Sequence, residues 1–211
     1  MEKNNEENNK ENINNNKTEI KKTEKSSSFL SDLKDFSFDT IKIVVISLVV
    51  IIGIRTFVMQ PFFVNGQSME PNFYDGDYLI VNEISYRFDN PQRGDVIIFH
   101  YPNDPRQFFI KRVIGLPGEK IEIKNSKITI YNKENPDGLV LDEFYLPKTA
   151  VIIKDYSQEL KNDEYYVLGD NRTASSDSRV WGVLEKRYIV GKTWIRAWPF
   201  GNFSIFEGVE Y

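Results

Sequence analysis

Residues 43–54 run for twelve positions without a charge, and over residues 43–64 only Arg55 interrupts the apolar character. A helix needs about 20 residues to cross a hydrocarbon core of about 30 Å. Residues 43–54 alone are too short for that; residues 43–64 suffice if Arg55 snorkels to an interface. The competing reading, a buried helix of a soluble domain, fits less well a run rich in Ile and Val with no polar face. A cleaved secretory signal fits poorly too, because forty-odd polar residues precede the run and no small-x-small cleavage site follows it.

This segment divides the 211 residues into three expected parts: a tail over 1–40, a transmembrane anchor over 41–63, and a domain over 64–211. Residues 1–27 hold eight Asn, six Glu and six Lys with almost no large apolar side chain. Such a stretch cannot bury enough surface to offset its chain entropy, so the tail is expected to be disordered. Lys21, Lys22, Lys25, Lys34 and Lys42 precede the apolar run, while only Arg55 follows within fifteen residues of its end. The positive-inside bias leaves the tail in the cytoplasm and sends residues 64–211 across, giving a single-pass protein of the plasma membrane with an extracytoplasmic domain.

Beyond Val64 the pattern changes to short β-branched and aromatic runs over residues 78–81, 95–99, 120–123, 127–131, 164–168 and 189–194. Turn signals separate them: Tyr74-Asp75-Gly76-Asp77, Gln92-Arg93-Gly94, Leu116-Pro117-Gly118 and Pro136-Asp137-Gly138. The expected fold is mainly β, an antiparallel barrel or two packed sheets behind a single N-terminal transmembrane helix. Residues 132–163 carry no recognisable motif.

Composition narrows the function. A net charge of −4 gives no support for nucleic-acid binding. With no cysteine there is neither a disulfide framework nor a thiolate zinc site, and a single histidine argues against a transition-metal centre. No cofactor or metal is expected. A Cys–His pair is impossible and Ser–His has one candidate base, His100, which ends a strand and reads as structural. A serine activated by a desolvated lysine is the remaining economical nucleophile.

Ser68 and Lys111 are the candidates. Gly66 before Ser68 and Pro71 after it imply an ordered turn, suited to a strained nucleophile or to an ordinary connector. In residues 108–114, strand alternation puts Lys111 on one face with Phe109 and Val113, and Arg112 opposite with Ile110 and Ile114. A lysine there is either buried and neutral or an edge-strand guard, and the segment alone favours the guard. Asp75, Asp77, Asp95 and Glu119 flank glycines and read as acceptors of turn amides. The polar loop after Leu168, with Asp170, Arg172, Ser175, Asp177 and Arg179, is denser in charge than a surface connector needs. An Asp–Arg-braced loop that presents a serine to a buried amine is a coherent alternative.

Taken together, Ser68-Met69-Glu70-Pro71, Arg93-Gly94-Asp95-Val96, the run from Lys111 to Gly118, and Gly169-Asp170-Asn171-Arg172…Ser175…Asp177-Ser178-Arg179 resemble the ordered boxes of bacterial type I signal peptidases. The resemblance runs from about residue 40 to the C-terminus. It implies a largely β catalytic domain, Ser68 as nucleophile, Lys111 as general base, and Ser175 hydrogen-bonded to the lysine amine. It also implies that Asp170, Arg172, Asp177 and Arg179 brace the site. The substrates implied are signal peptides of exported pre-proteins, cut after small-x-small sequences, and the implied setting is membrane lipid. A monomer is expected. The pattern departs at Gly66, where some members carry a serine that donates to the oxyanion; the hole would then rely on backbone N–H groups, with that of Ser68 a candidate. Asn72 and Thr173 also replace commoner residues.

Two other readings compete. A membrane-anchored extracytoplasmic binding module would have the same composition and need neither Ser68 nor Lys111. A self-cleaving Ser–Lys repressor shares the pair, yet the chain has no Ala-Gly cleavage dipeptide, no helix-turn-helix pattern and no basic surplus.

Overall fold

The computed structural model describes residues 36–53 and 59–206, and the chain divides after Gly53 into two compact units. The first unit's described part is one helix, α1 (Phe36–Gly53), of 18 residues. At 1.5 Å per residue it is about 27 Å long, and it is the one helix among the described residues long and apolar enough to cross a membrane. Its apolar side chains, from Phe36 to Ile52, are exposed all round, as a lipid-facing helix requires.

This helix begins before residue 41, and the last five residues of the anchor expected over 41–63 are not part of it. Met59–Phe63 is a strand, and not the end of a helix. The physical reason lies in Gln60 and Pro61: proline cannot continue a helix interior, and it is tolerated on an edge strand such as this one. The tail expected over 1–40 lies outside the described residues up to position 35, and residues 36–40 are already helical.

The second unit is built from two antiparallel sheets. The larger contains β1 (Met59–Phe63), β2 (Tyr78–Asn82), β3 (Val96–Tyr101), β4 (Asp104–Gly115), β9 (Glu164–Leu168), β10 (Leu184–Glu185), β11 (Ile189–Trp198) and β12 (Ser204–Ile205). Its order is β1-β2-β11-β3-β4-β9-β10, with β12 also on β11. The smaller contains β5 (Lys120–Lys124), β6 (Lys127–Tyr131), β7 (Leu139–Val140) and β8 (Tyr156–Glu159), in the order β7-β6-β5-β8. Two one-turn α-helices, α2 (Ser85–Phe88) and α3 (Ser178–Trp181), and two 3-10 turns, Lys186–Tyr188 and Phe200–Asn202, complete the described part of the unit. All six runs expected as strands from their β-branched and aromatic content are strands.

Alternation explains the packing. On β3, Val96 and Ile98 enter one core with Val64, Met69, Phe73, Leu79, Val81 and Ile110, while Ile97 and Phe99 enter a second with Val113, Tyr165, Val167 and Leu184. A third core joins the small sheet to the large one through Ile121, Ile123, Ile128 and Ile130 against Ile114, Tyr166 and Leu168. Burial of each such side chain contributes roughly 1.5–3 kcal/mol.

The four turn carboxylates behave as expected. Asp75 accepts from the Gly66 N–H, Asp77 from that of Tyr74, Asp95 from that of Gln92 and Glu119 from that of Leu116. Three of them also pair with cations: Asp77 with the buried Arg196, Asp95 with the partly exposed Lys192 and Glu119 with the partly exposed Arg93.

Candidate active site

Ser68 follows β1 in a tight turn closed by Glu70 N–H donating to the Gln67 carbonyl and by the Asn72 and Phe73 N–H groups donating to the Met69 carbonyl. Met69 and Phe73, both essentially inaccessible, sink into the core behind it. The turn is thus pinned from below, with Ser68 half-buried at its tip. Gly66 adopts φ +91°, which side chains rarely tolerate, and allows the chain to leave β1 in this direction.

Lys111 lies on β4 opposite Ile97 of β3. The edge-guard reading is overturned, because β4 sits between β3 and β9 and Lys111 is only 3% exposed. Its Nζ is 2.8 Å from Ser68 Oγ, across 43 residues of sequence, and 2.7 Å from the carbonyl oxygen of Ile110. The Phe109 ring lies on the same side, 5.4 Å from Nζ to its centroid. Burial is the largest influence on the amine and lowers its pKa from the ordinary 10.5 to about 8, against the upward pull of the Asp177 and Asp170 carboxylates. About one such amine in ten is then neutral at pH 7, against fewer than one in a thousand for an exposed lysine. A neutral amine can donate one proton to the Ile110 carbonyl and turn its lone pair to the Ser68 hydroxyl, an arrangement suited to general-base chemistry.

The loop after β9 carries the remaining expected residues. Asp170 accepts two bonds from Arg112, 2.9 and 2.6 Å, so the residue beside Lys111 ties β4 to this loop. Arg179 grips Asp177 through Nε and Nη2 and donates to the Arg172 carbonyl at 2.7 Å. Asp177 accepts the Gly169 N–H at 3.0 Å and, at the start of α3, that of Arg179 at 3.2 Å. Arg172 donates to the Gly169 carbonyl and reaches Glu143 through two nitrogens. Arg172, Asp177 and Arg179 are thus joined through the Gly169 and Arg172 backbone, while Asp170 fastens the loop to Arg112.

Ser175 departs from expectation. Its hydroxyl oxygen is buried with no hydrogen-bond partner among the described residues, and the bond to the Lys111 amine is absent. The second partner of the lysine is the carbonyl of Ile110. His100 is structural: its Nδ1 pairs with the Pro105 carbonyl oxygen at 2.7 Å and its ring packs on Phe108.

Glu143 and Tyr145 escaped the motif reading, since they lie in the featureless stretch 132–163. Glu143 neutralises Arg172, the Tyr145 ring stacks 4.1 Å from the Arg112 guanidinium, and the Tyr145 carbonyl accepts from Asn72. Asn72 also donates to Asp170 at 2.8 Å, so it braces the same loop. A charge count could have found Glu143: Arg112, Arg172 and Arg179 outnumber Asp170 and Asp177 by one, and a buried arginine needs a carboxylate.

A cleft of about 340 Å³ opens over Ser68 and Lys111, walled by Phe62, Val64, Leu79, Ile98, Phe108 and Ile110. Phe62 packs edge-on against Phe108 inside this wall. Along one lip, β4 pairs with β9 only from Arg112 onward, so residues 105–110 present a strand edge with no partner among the described residues.

A family model described as "Signal peptidase, peptidase S26" matches residues 37–198. Signal peptidase I of Leptolyngbya laminosa is 38% identical over 174 residues, which span 78% of this chain and 81% of that protein. Probable signal peptidase I-2 of Synechocystis is 36% identical, over 75% of this chain and 72% of the relative. Signal peptidase IB of Staphylococcus aureus is 33% identical, over 76% and 89% respectively.

Proposed function

The chain belongs to the signal peptidase family of serine endopeptidases, peptidase S26, and on that premise we propose that it removes signal peptides from exported pre-proteins by Ser68–Lys111 catalysis. The observation that carries the reading is the 2.8 Å approach of a buried, pKa-lowered amine to a serine oxygen at the floor of an apolar cleft. A non-catalytic binding module would have no use for a lysine held in this costly state.

Neutral Lys111 takes the Ser68 proton as Oγ bonds to the substrate carbonyl carbon. The carbonyl oxygen gains the electron pair and faces the Ser68 backbone N–H, which has no acceptor among the described residues. Collapse of this intermediate breaks the C–N bond, and the Lys111 ammonium returns its proton to the departing amine. Lys111, neutral again, then draws a proton from water as the water oxygen attacks the ester, and as the C–Oγ bond breaks the Lys111 ammonium returns that proton to Ser68 Oγ, which regenerates both the hydroxyl and the neutral amine. General-base assistance of this kind contributes about 10²–10⁴ in rate.

The substrate is taken as an extended segment that pairs with the free edge of residues 105–110. The apolar walls from Val64, Leu79, Ile98 and Ile110 leave shallow room for small side chains, in keeping with small-x-small cleavage sites. The domains are assigned as a tail, an anchor centred on α1 and a catalytic unit that begins with β1, with the tail cytoplasmic by the lysine bias. Phe63 packs on Tyr78, Tyr78 pairs with Trp198, and Trp198 packs on Phe200, forming a largely exposed aromatic row suited to a lipid interface. Cleavage of a pre-protein in membranes tests the proposal. The parent releases the mature domain, Ser68→Ala and Lys111→Ala do not, and retained cleavage in either variant removes the mechanism.

A further inference from the structure

Gly66 lacks a side-chain donor for the developing oxyanion, so a single backbone N–H, that of Ser68, has to be aimed well. That N–H belongs to the Gln67–Ser68 peptide, which is not among the cis bonds of the chain. A trans peptide sets its C=O and N–H antiparallel. Whatever fixes the Gln67 carbonyl therefore fixes the direction of the Ser68 N–H.

Two donors fix that carbonyl. One is the Glu70 N–H within the turn, at 3.2 Å. The other is the Asn171 side-chain amide, 104 residues away, whose Nδ2 donates at 3.1 Å. Asn171 also holds the following peptide, since its backbone N–H donates to the Ser68 carbonyl at 3.1 Å. Both peptide units flanking the Ser68 Cα are thus gripped by one residue of the opposing loop. The amide is itself oriented: its Oδ1 accepts from Thr173 Oγ1 at 3.2 Å and from the Ala174 N–H at 3.3 Å, which leaves the NH₂ end for Gln67. Ser68 N–H, by contrast, has no acceptor among the described residues.

We propose that Asn171 is a positioning residue for the oxyanion site, aiming the Ser68 N–H at the reacting oxygen by clamping the Gln67 and Ser68 carbonyls. The assignment rests on Ser68 being the nucleophile. Asn171 does not line the cleft over Ser68 and Lys111, so its effect is confined to states in which the carbonyl oxygen carries charge. Without the clamp the peptide is free to rock, and the N–H loses alignment while substrate still binds.

The test uses the full chain in detergent or vesicles with a signal-peptide substrate and two inhibitors of one sequence, a peptide aldehyde and the matching alcohol. The aldehyde adds Ser68 Oγ to form a hemiacetal with its oxygen at the oxyanion position; the alcohol only occupies the cleft. In Asn171→Asp and Asn171→Ala, kcat is expected to fall about 10- to 100-fold, less than or similar to loss of a donor outright. KM and alcohol affinity stay within about threefold, aldehyde affinity falls with kcat, and the pH midpoint of kcat/KM does not move. Thr173→Val, at an exposed position, frees one side of the amide and lowers kcat and aldehyde affinity together by about threefold. Loss carried by KM, a shifted pH midpoint, or unchanged kcat in both Asn171 variants overturns the proposal. So does unchanged aldehyde affinity in Thr173→Val, even if the Asn171 variants do not fold. A parent that fails to cleave, or a Ser68→Ala chain that still cleaves, removes the nucleophile reading and this assignment with it. Cleavage that depends on Ser68 but ignores Asn171 removes the assignment alone.

Discussion

Glu143 and Arg172, 29 residues apart, meet in a two-pronged ion pair in which the guanidinium nitrogens lie 2.6 and 2.5 Å from the carboxylate oxygens. Arg172 is 2% exposed at its side chain and holds the Gly169 carbonyl as well. The pair joins the segment between the strands of the small sheet to the loop that grips the Ser68 turn. Glu143→Gln leaves the guanidinium buried against a neutral group, and a broken buried pair costs about 3 kcal/mol. Chemical denaturation is expected to show that loss, with cleavage reduced in parallel because the loop over residues 169–179 is no longer braced.

Gly169 is placed where no side chain fits. A Cβ there would run into Ser175 Oγ and the Ser68 carbonyl oxygen, the latter being backbone that cannot swing away. Gly169→Ala should displace the nucleophile's turn by a few tenths of an ångström or more and lower kcat/KM about 100-fold, since misplacement by about 1 Å has that effect. Steady-state kinetics on the purified variant check it; near-parent activity would mean the two loops are not in register as described.

The buried amine carries a stability cost with a definite pH window. Its folded pKa of about 8 lies below the ordinary 10.5, so the unfolded chain binds the proton more tightly. The penalty is complete below pH 8 and vanishes as pH rises past 10.5; the gap corresponds to about 3 kcal/mol. Lys111→Met keeps the length and removes the charge. It is expected to be inactive yet more stable than the parent at pH 7, by up to about 3 kcal/mol, with the difference shrinking between pH 8 and 10.5. Denaturant titrations at three pH values measure it.

Much of this was readable from residue order and type. The strands followed from β-branched and aromatic runs between glycine turns, and Ser68, Lys111 and the Asp–Arg loop stood out because few other residues offered nucleophilic chemistry. Lys111 itself was ambiguous: alternation gave its face, but only the pairing of β4 with both β3 and β9 distinguishes a buried base from an edge guard. The boundary of the anchor was misplaced because Phe62 and Phe63 are as apolar as the residues of α1, and only Gln60 and Pro61 mark the change. Glu143 and Tyr145 were invisible because their partners lie far away in sequence. The link from Asn171 to Gln67 depends on a peptide orientation that no residue pattern encodes.

The exposed aromatic row predicts a split between substrates. Trp198 and Phe200 are 51% and 77% exposed and do not line the cleft. Trp198→Ser with Phe200→Ser should leave cleavage of a soluble signal-peptide analogue within about twofold, while cleavage of a membrane-inserted pre-protein falls several-fold as interfacial anchoring weakens. Parallel assays on the two substrates read the ratio directly.

The central claim is that the Ser68 proton is taken by the neutral form of an amine whose pKa is lowered by burial, and the pH dependence of kcat/KM reports the pKa of the free enzyme's base. The account predicts that kcat/KM rises about tenfold per pH unit below neutrality and levels off with a midpoint near about 8. A midpoint above 10, where an exposed lysine titrates, or a profile that is flat from pH 6 to 9, would contradict it.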